Sequence, residues 1–293
     1  MKNMHAALLS ASYFFLNRTF MQSIGAALLK ASQSLVHRKH VGVKRVALFI
    51  VGPGPVNELG DAYLPGVQRD LDAYRTFFES PLGGAWESYE ILTLKSPSKY
   101  SVKAHLKLAS KADYAFIAFI GNEVRPSKQD TKLITINNKE TMLDREFMED
   151  GGRRTIIFDC NRKTAPAQAM EKAVFADSPL PDFDRTNCRK YFDRSLMKCS
   201  PVVVVAHACR DGEYANDDHS YISQQIRQAN NYALNLKYET CDSYYTLRIA
   251  QVHARASAAV RAHSKGLQNP ALERARPEDS FPFCILAWSF VKD

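Results

Sequence analysis

The sequence predicts an α/β fold built on a largely parallel sheet. Short runs rich in β-branched and aromatic residues alternate along the chain with amphipathic segments of helical spacing, which is the pattern of strands joined by crossover helices. The 293 residues are enough for one large domain or two small ones. With 45% hydrophobic and 24% charged residues, the composition excludes a disordered or collagen-like chain, and no apolar run is long enough to predict a membrane span.

The elements follow in order from residue 46. The β-branched run at Val46–Val51 predicts a buried strand, and the glycines and prolines after it predict a loop. Apolar residues at helical spacing predict a helix over Val67–Glu79. The polar stretch Arg162–Ser200 predicts a long loop that is functional, mobile or packed on a partner. Further strands are predicted at Tyr89–Leu94, Tyr114–Ile120, Leu133–Ile136, Thr155–Asp159, Val202–His207 and Phe283–Val291, and further helices at Val102–Ser110, Met142–Glu149, Asp217–Leu236 and Tyr244–Ala262.

The net charge of +8 is concentrated at the amino-terminal end of the chain. The first 57 residues contain seven basic residues and no acidic one, whereas the remainder carries 32 basic and 31 acidic residues. The acid-free, Ser- and Ala-rich extension over residues 1–42 is typical of a mitochondrial presequence; a secretory signal and a helix docked on the domain or on a partner are the alternatives. A mitochondrial protein is therefore expected, with a cytoplasmic one as the alternative. The basic residues of this end also suit RNA; they are Lys2, Arg18, Lys30, Arg38, Lys39, Lys44 and Arg45.

Cysteine spacing and glycine-rich loops give no sign of a cofactor. The six cysteines are spread without the paired spacing of a zinc site, so reduced and mostly buried thiols are expected. The loop Gly52-Pro53-Gly54-Pro55 lacks the Lys-Ser/Thr of a phosphate-binding loop, and its prolines remove N–H donors that such a loop needs. We expect neither a metal nor an organic cofactor.

Six segments carry motifs in a fixed order: Lys44–Val51, Leu64–Tyr74, Asp113–Glu123, Ile156–Arg162, Val202–Val205 and Phe281–Phe283. The second has the pattern Leu-x-Gly-x-x-x-Asp, and the others match strands. Together they resemble the caspase/metacaspase superfamily of clan CD cysteine peptidases, from about residue 43 to the end. The resemblance implies a caspase-like three-layer sandwich, with a mostly parallel central sheet flanked by helices. It also implies that the loop at about 162–200 corresponds to the family's inter-subunit linker.

The family's chemistry needs a cysteine thiolate and a histidine base, and the resemblance assigns both positions to amides. Aligned on Gly121, the histidine position is Asn122; aligned on Asp159 and Arg162, the cysteine position is Asn161. An amide neither accepts a proton near pH 7 nor attacks a carbonyl as a thiolate does, so a catalytically inactive member is expected.

Three further candidate sites follow from the same alignment and from charge. Cys160 as nucleophile with His207 as base would make a divergent peptidase. Asp159 matches the acidic residue that helps to line a pocket for basic side chains in metacaspases. A second basic surface for RNA or an acidic protein is predicted within the stretch 244–276, on Arg248, Arg255 and Arg261.

We therefore expect a non-catalytic caspase- or metacaspase-like protein that acts as a structural or scaffold subunit of a larger assembly. Its partners would be protein subunits and RNA, in a mitochondrial ribonucleoprotein such as the mitochondrial ribosome. A cysteine peptidase that uses Cys160, and a pseudoprotease that regulates an active relative, are the alternatives.

Overall fold

The structure of the protein, a computed structural model, describes residues 42–53, 65–124, 132–160, 162–163, 184–216, 220–235, 244–273 and 280–286. The helices are α1 (Pro65–Glu79), α2 (Lys99–Ala109), α3 (Arg185–Met197), α4 (Tyr221–Asn235) and α5 (Ile249–His263). The strands are β1 (Arg45–Val51), β2 (Ile91–Lys95), β3 (Tyr114–Val124), β4 (Leu133–Thr135), β5 (Thr141–Leu143), β6 (Arg154–Cys160), β7 (Arg162–Lys163), β8 (Val203–His207), β9 (Ala215–Asn216), β10 (Tyr245–Arg248), β11 (Ala271–Glu273) and β12 (Pro282–Leu286).

The main sheet has the strand order β11-β8-β6-β3-β1-β2. The four pairings among β8, β6, β3, β1 and β2 are all parallel, and the edge strand β11 pairs antiparallel with β8. The antiparallel hairpin β4–β5 joins the carboxyl-terminal part of β3. These pairings confirm the prediction of a mostly parallel sheet, and they place the carboxyl ends of β1, β3, β6 and β8 at one edge.

Both faces of the sheet are covered, which is why its central strands are continuous apolar runs. On β3, Ala118 and Ile120 belong to the core cluster formed with α1, α3, α4 and α5. Phe119 belongs to the opposite cluster, which α2 and the β4–β5 hairpin complete. Successive side chains of a strand point to opposite faces, so one strand supplies both cores. The layers are those of a three-layer sandwich.

A chain of hydrogen bonds between buried side chains ties three helices together on the first face. The Tyr74 hydroxyl donates to Gln225 Oε1 over 2.6 Å, and Gln225 Nε2 donates to the Tyr221 oxygen over 2.9 Å. The Tyr221 hydroxyl lies 2.6 Å from His253 Nδ1, whose ring nitrogen Nε2 is 3.1 Å from Ser257 Oγ. α1, α4 and α5 therefore share one polar network inside an otherwise apolar layer.

Three predictions of secondary structure are wrong in whole or in part. The helix predicted at Tyr244–Ala262 begins only at Ile249, because Tyr245–Arg248 forms the strand β10 and pairs with β12. The helix predicted at Met142–Glu149 is instead a strand, Thr141–Leu143, followed by a 3-10 turn, because Met142 is buried in the pairing of β5 with β4. Part of the loop predicted at 162–200 is the helix α3. Asp184 caps its amino-terminal end, because the Asp184 side chain accepts a hydrogen bond from the Asn187 backbone N–H. The rest of that loop, residues 164–183, lies outside the described residues, as does the predicted extension up to Val41.

Candidate functional site

The sequence-predicted site residues lie at the carboxyl ends of β3, β6 and β8. In the sheet register Gly121 pairs with Cys160, and Phe158 pairs with His207. The strands β3, β6 and β8 are consecutive neighbours, so Asn122, Cys160 and His207 come to the same edge. This edge is the place where open α/β sheets bind ligands. Asn161 lies outside the described residues.

Asn122 is half-buried and makes a contact with the loop after β1. Its Nδ2 donates to the Pro53 carbonyl over 3.4 Å. The approach depends on glycines, because a Cβ on Gly121 would lie 3.2 Å from the Gly52 Cα and 2.8 Å from the Phe119 ring. The strand alternation assigns Asn122 to the face that carries Ala118 and Ile120. An amide at this point can hold a carbonyl but cannot take up a proton near pH 7.

Cys160 lies on the other face of the sheet. It is 2% exposed and packs in the cluster that includes Phe158 and Phe119, whereas Ile157 belongs to the opposite cluster. Burial raises the pKa of the Cys160 thiol well above its ordinary value, and Glu123 raises it further through charge and a hydrogen bond. The thiol is therefore protonated at neutral pH and points away from the face of Asn122.

His207 is buried and engaged with aromatic and acidic neighbours. Its ring stacks on Phe158 with centroids 5.3 Å apart, and its Nε2 lies 3.5 Å from Glu273 Oε1. Burial lowers the pKa of His207 to about 4, and the nearby Lys132 ammonium lowers it further. Its Nδ1 has no hydrogen-bond partner among the described residues, so this nitrogen is not bonded to the Cys160 thiol there.

Asp159 is completely buried on the same face of β6 as Ile157. It lies close enough to Tyr221 that, after burial, its charge helps to raise the pKa of that hydroxyl. Because its side chain is fully enclosed, Asp159 does not line an open pocket for a basic side chain among the described residues.

Sequence reasoning missed a charged group beside Cys160. The Lys132 ammonium lies 3.3 Å from Glu123 Oε1 and 2.9 Å from Asp211 Oδ1. Burial opposes its charge, but the two carboxylates raise the pKa of Lys132 overall. The residues come from β3, from the start of the β4–β5 hairpin and from the loop after β8, so no local pattern could have joined them. Within the described residues, no cluster of three or more His, Cys, Asp or Glu side chains could hold a metal ion.

A comparison over the whole chain shows which family the protein belongs to. A sequence model described as Caspase domain matches residues 44–282, which is most of the chain and includes all of the strand ends described above. The chain belongs to the caspase family. No curated protein matches it by sequence.

Solved caspases share this fold at very low sequence identity. The Drosophila initiator caspase Dronc superposes with a TM-score of 0.50 at 8% identity, over 85% of this chain and 86% of that one. Caspase-1 from Spodoptera frugiperda gives a TM-score of 0.42 at 8% identity, over 80% and 88% of the two chains. The pro-sf-caspase-1 structure gives 0.45 at 7% identity, over 81% and 93%. These similarities concern the fold alone.

The basic residues predicted to bind RNA or a partner fall into four groups, of which buried Arg45 is described last. Arg255 and Arg261 on α5 are exposed, as is Lys44. Arg248 is half-buried and donates to the Ser280 carbonyl over 2.6 Å. The remaining members, apart from Arg45, lie outside the described residues: Lys2, Arg18, Lys30, Arg38 and Lys39.

The prediction that Arg45 contacts RNA or a partner is wrong, because its side chain is not available to an external partner. Its side chain is fully buried and lies 3.2 Å from Glu90 and 3.3 Å from Asp193. The guanidinium also covers the Trp86 ring at 4.5 Å from the centroid. Arg189 completes the group through a bond of 2.7 Å to Glu90. Arg45 is thus an internal ion-pair partner that fixes β1 against α3.

None of the helices in the described part of the chain is both long and apolar enough to cross a bilayer.

Proposed function

We propose that this caspase-family chain is not a peptidase and serves as a structural subunit of a larger assembly. The observation that carries the proposal is the arrangement at the carboxyl ends of β3 and β6. The motif alignment assigns the position of the family's imidazole to an amide, Asn122, which here contacts the Pro53 carbonyl, and the thiol of Cys160 is buried on the opposite face with a raised pKa.

The chemistry of the family fails at two separate points in this arrangement. Each unit by which a thiol pKa rises lowers the thiolate fraction at neutral pH about tenfold, and the thiolate is the nucleophile. A base must also reach the nucleophile within hydrogen-bond distance, directly or through one water. His207 is held against Phe158 and Glu273 instead. Both observations support a domain that kept its fold without the dyad.

The assembly role is supported by what remains once catalysis is removed. The caspase-family domain keeps a packed core on both faces of its sheet, and the segment before Lys44 adds five basic residues, Lys2, Arg18, Lys30, Arg38 and Lys39, without an acidic one. A basic, acid-free amino-terminal segment suits import into mitochondria and contact with RNA. The more specific form of the proposal is therefore a subunit of a mitochondrial ribonucleoprotein, such as the mitochondrial ribosome.

A peptide electrophile tests the absence of catalysis. The full chain is incubated with fluorogenic peptides that carry a basic or an acidic residue before the scissile bond, and with the matching acyloxymethyl ketones. We expect no turnover and no labelling. Turnover that is abolished by Cys160→Ala, and kept by the control Cys284→Ala at another fully buried thiol, would overturn the proposal.

Sedimentation of the native protein tests the assembly role. The endogenous protein should migrate in a large particle on a density gradient and co-fractionate with mitochondria. A free monomer at physiological salt contradicts the proposal. Co-migration in a small complex with an active caspase-fold peptidase would identify a regulator of that relative instead.

A further inference from the structure

The helices α4 and α5 present an exposed surface whose formal charges are all positive. α4 and α5 pack on each other, and neither helix contains an Asp or a Glu. On and just after α5, Arg255, Arg261 and Lys265 are exposed, and α4 adds the exposed Arg227. We call Arg255, Arg261 and Lys265 the α5 cationic face. Within the described residues none of the three makes an ion pair, so their charge is directed at solvent.

The spacing of the two arginines on this face suits an extended anionic partner. Arg255 and Arg261 are six residues apart, so they lie about 9 Å apart along the helix axis and on neighbouring sides of it. The exposed residues between them around the helix are alanines, Ala254, Ala258 and Ala262. With only methyl groups in this space, a partner backbone can approach the helix between the two guanidinium groups.

Within the described part of the chain, the Arg255 side chain is held in place by an aromatic ring and not by a carboxylate. Its guanidinium carbon lies 4.6 Å from the centroid of the Tyr232 ring on α4. Stacking on an aromatic face restricts the long side chain but leaves the N–H donors at the edge of the guanidinium plane for an acceptor. Planar guanidinium groups bind phosphate oxygens in this manner, often with two parallel hydrogen bonds.

The side chains of the face favour a nucleic acid over a protein. The centre of a protein interface is depleted of charge and depends on buried aromatic or large aliphatic anchors. The exposed side chains of α5 are those of Arg255, Arg261, His263 and three alanines; Lys265 follows the helix, and the large exposed hydrophobic residue nearby, Leu267, lies beyond Lys265. Phosphate backbones are bound through cations by release of counterions, without such anchors.

We propose that the α5 cationic face binds the phosphate backbone of RNA without reading its bases. The inference rests on the proposed role as a subunit of a ribonucleoprotein and names the surface that contacts RNA there.

The test measures how RNA affinity depends on salt for the full chain. Binding of a fluorescein-labelled 20-nucleotide RNA of mixed sequence is followed by anisotropy from 50 to 300 mM KCl. The double variant Arg255→Gln/Arg261→Gln is compared with the control Lys103→Gln/Lys107→Gln on α2, where the lysines pair with Glu146 and Asp150. Each lost phosphate contact lowers the slope of log K against log salt by about 0.7 to 0.9.

We expect the α5 variant to lose roughly 1.5 from this slope and to bind RNA several-fold more weakly at low salt, with the control unchanged. The amino-terminal extension is present in all samples, so its contribution cancels. An unchanged slope and affinity in the α5 variant would overturn the inference. Loss of native co-sedimentation with unchanged RNA affinity would also overturn it, because the face would then bind an acidic protein.

The two proposals can fail separately. If the wild-type chain sediments in a large particle while the α5 variant keeps its RNA affinity, only the inference is lost. If the α5 variant loses RNA affinity while the native chain sediments as a free monomer, only the assembly role is lost.

Discussion

Single ionisable residues in this domain carry stability that depends on pH. Glu146 accepts bonds from the Lys103 and Lys99 ammonium groups, at 2.7 Å and 3.1 Å, and from the Leu143 backbone N–H at 2.9 Å. Burial opposes its charge, but these donors lower the pKa of Glu146 from its ordinary 4.5 to about 2. It therefore stays ionised in the folded domain at pH values where the unfolded chain has taken up the proton.

The lowered pKa of Glu146 predicts how the stability of the domain changes with pH. Because the unfolded state binds the proton first, the contribution of Glu146 is complete above about pH 5 and is lost as the pH falls towards 2. Urea unfolding between pH 6 and 3 should show a shallower fall of the free energy of unfolding in Glu146→Gln than in the wild type. Parallel curves for the two proteins would contradict the prediction.

Glu90 gives a second prediction, from the ion-pair group around Arg45. Although burial opposes its ionisation, Arg189 and Arg45 lower the pKa of this carboxylate. In Glu90→Gln two guanidinium groups would lose their shared counter-charge in a buried place, which costs about 3 to 5 kcal/mol. Chemical unfolding at pH 7 measures the loss.

Glu87 provides the matched control for that measurement. It belongs to the same group but its side chain is 39% exposed, and it lies 3.5 to 3.8 Å from Arg185 and Arg189. Glu87→Gln should cost no more than about 1 kcal/mol, as exposed pairs do. Equal losses in the two variants would show that burial does not set the strength of this group.

At the scale of elements, the hydrogen-bond chain from Tyr74 to Ser257 decides how three helices meet. Tyr221→Phe removes the oxygen that accepts from Gln225 and bonds to His253, leaving both partners buried and unsatisfied. We expect a loss of about 1 to 3 kcal/mol in the free energy of unfolding. Tyr100→Phe, at a tyrosine that is 76% exposed on α2, should change it by less than about 0.5 kcal/mol.

A double-mutant cycle with Tyr74→Phe tests whether the chain acts as one unit. The losses of the two single variants should sum to more than the loss of the double variant, because both substitutions remove a bond to the same Gln225 amide, which is already weakened by the first. Additive losses would mean that α1 and α5 are held to α4 independently.

The elements also show what a sequence pattern can and cannot predict. The central strands were predictable because burial on both faces makes them continuous β-branched runs, such as Val46–Val51. The helix α3 was not predicted, because its three buried residues, Cys188, Phe192 and Leu196, stand in a mostly polar segment that resembles a loop.

The site could be predicted only where one strand carries the information. The order of Asn122, Asp159 and Cys160 at strand ends followed from the motifs. The environment of Cys160 did not, since Glu123, Lys132 and Asp211 meet through tertiary pairing alone. Arg45 was misjudged for the same reason: its charge is visible in sequence, but its acidic partners stand 45 and more positions away.

For the whole molecule, the last described strand completes a core that begins near the start of the domain. On β12, Phe283 stacks on Phe77 of α1 with centroids 5.1 Å apart, and the Ile285 N–H donates to the Leu82 carbonyl over 2.7 Å. Just before β12, the Phe281 and Tyr114 rings meet in a tilted pair with centroids 5.0 Å apart. These contacts join segments separated by about 200 residues, so their closure entropy is large.

A consequence concerns the order of events during synthesis. A nascent chain that has emerged only as far as α5 leaves the aromatic side of α1 without its cover, so the domain should not reach its native packing until β12 leaves the exit tunnel. Chains stalled before Ser280 should be cut by a low dose of protease, while chains stalled about 40 residues beyond Leu286, on an added linker, should resist it. Folding of this domain would then be a single late event, which waits until nearly all of the residues from Lys44 to Leu286 have emerged.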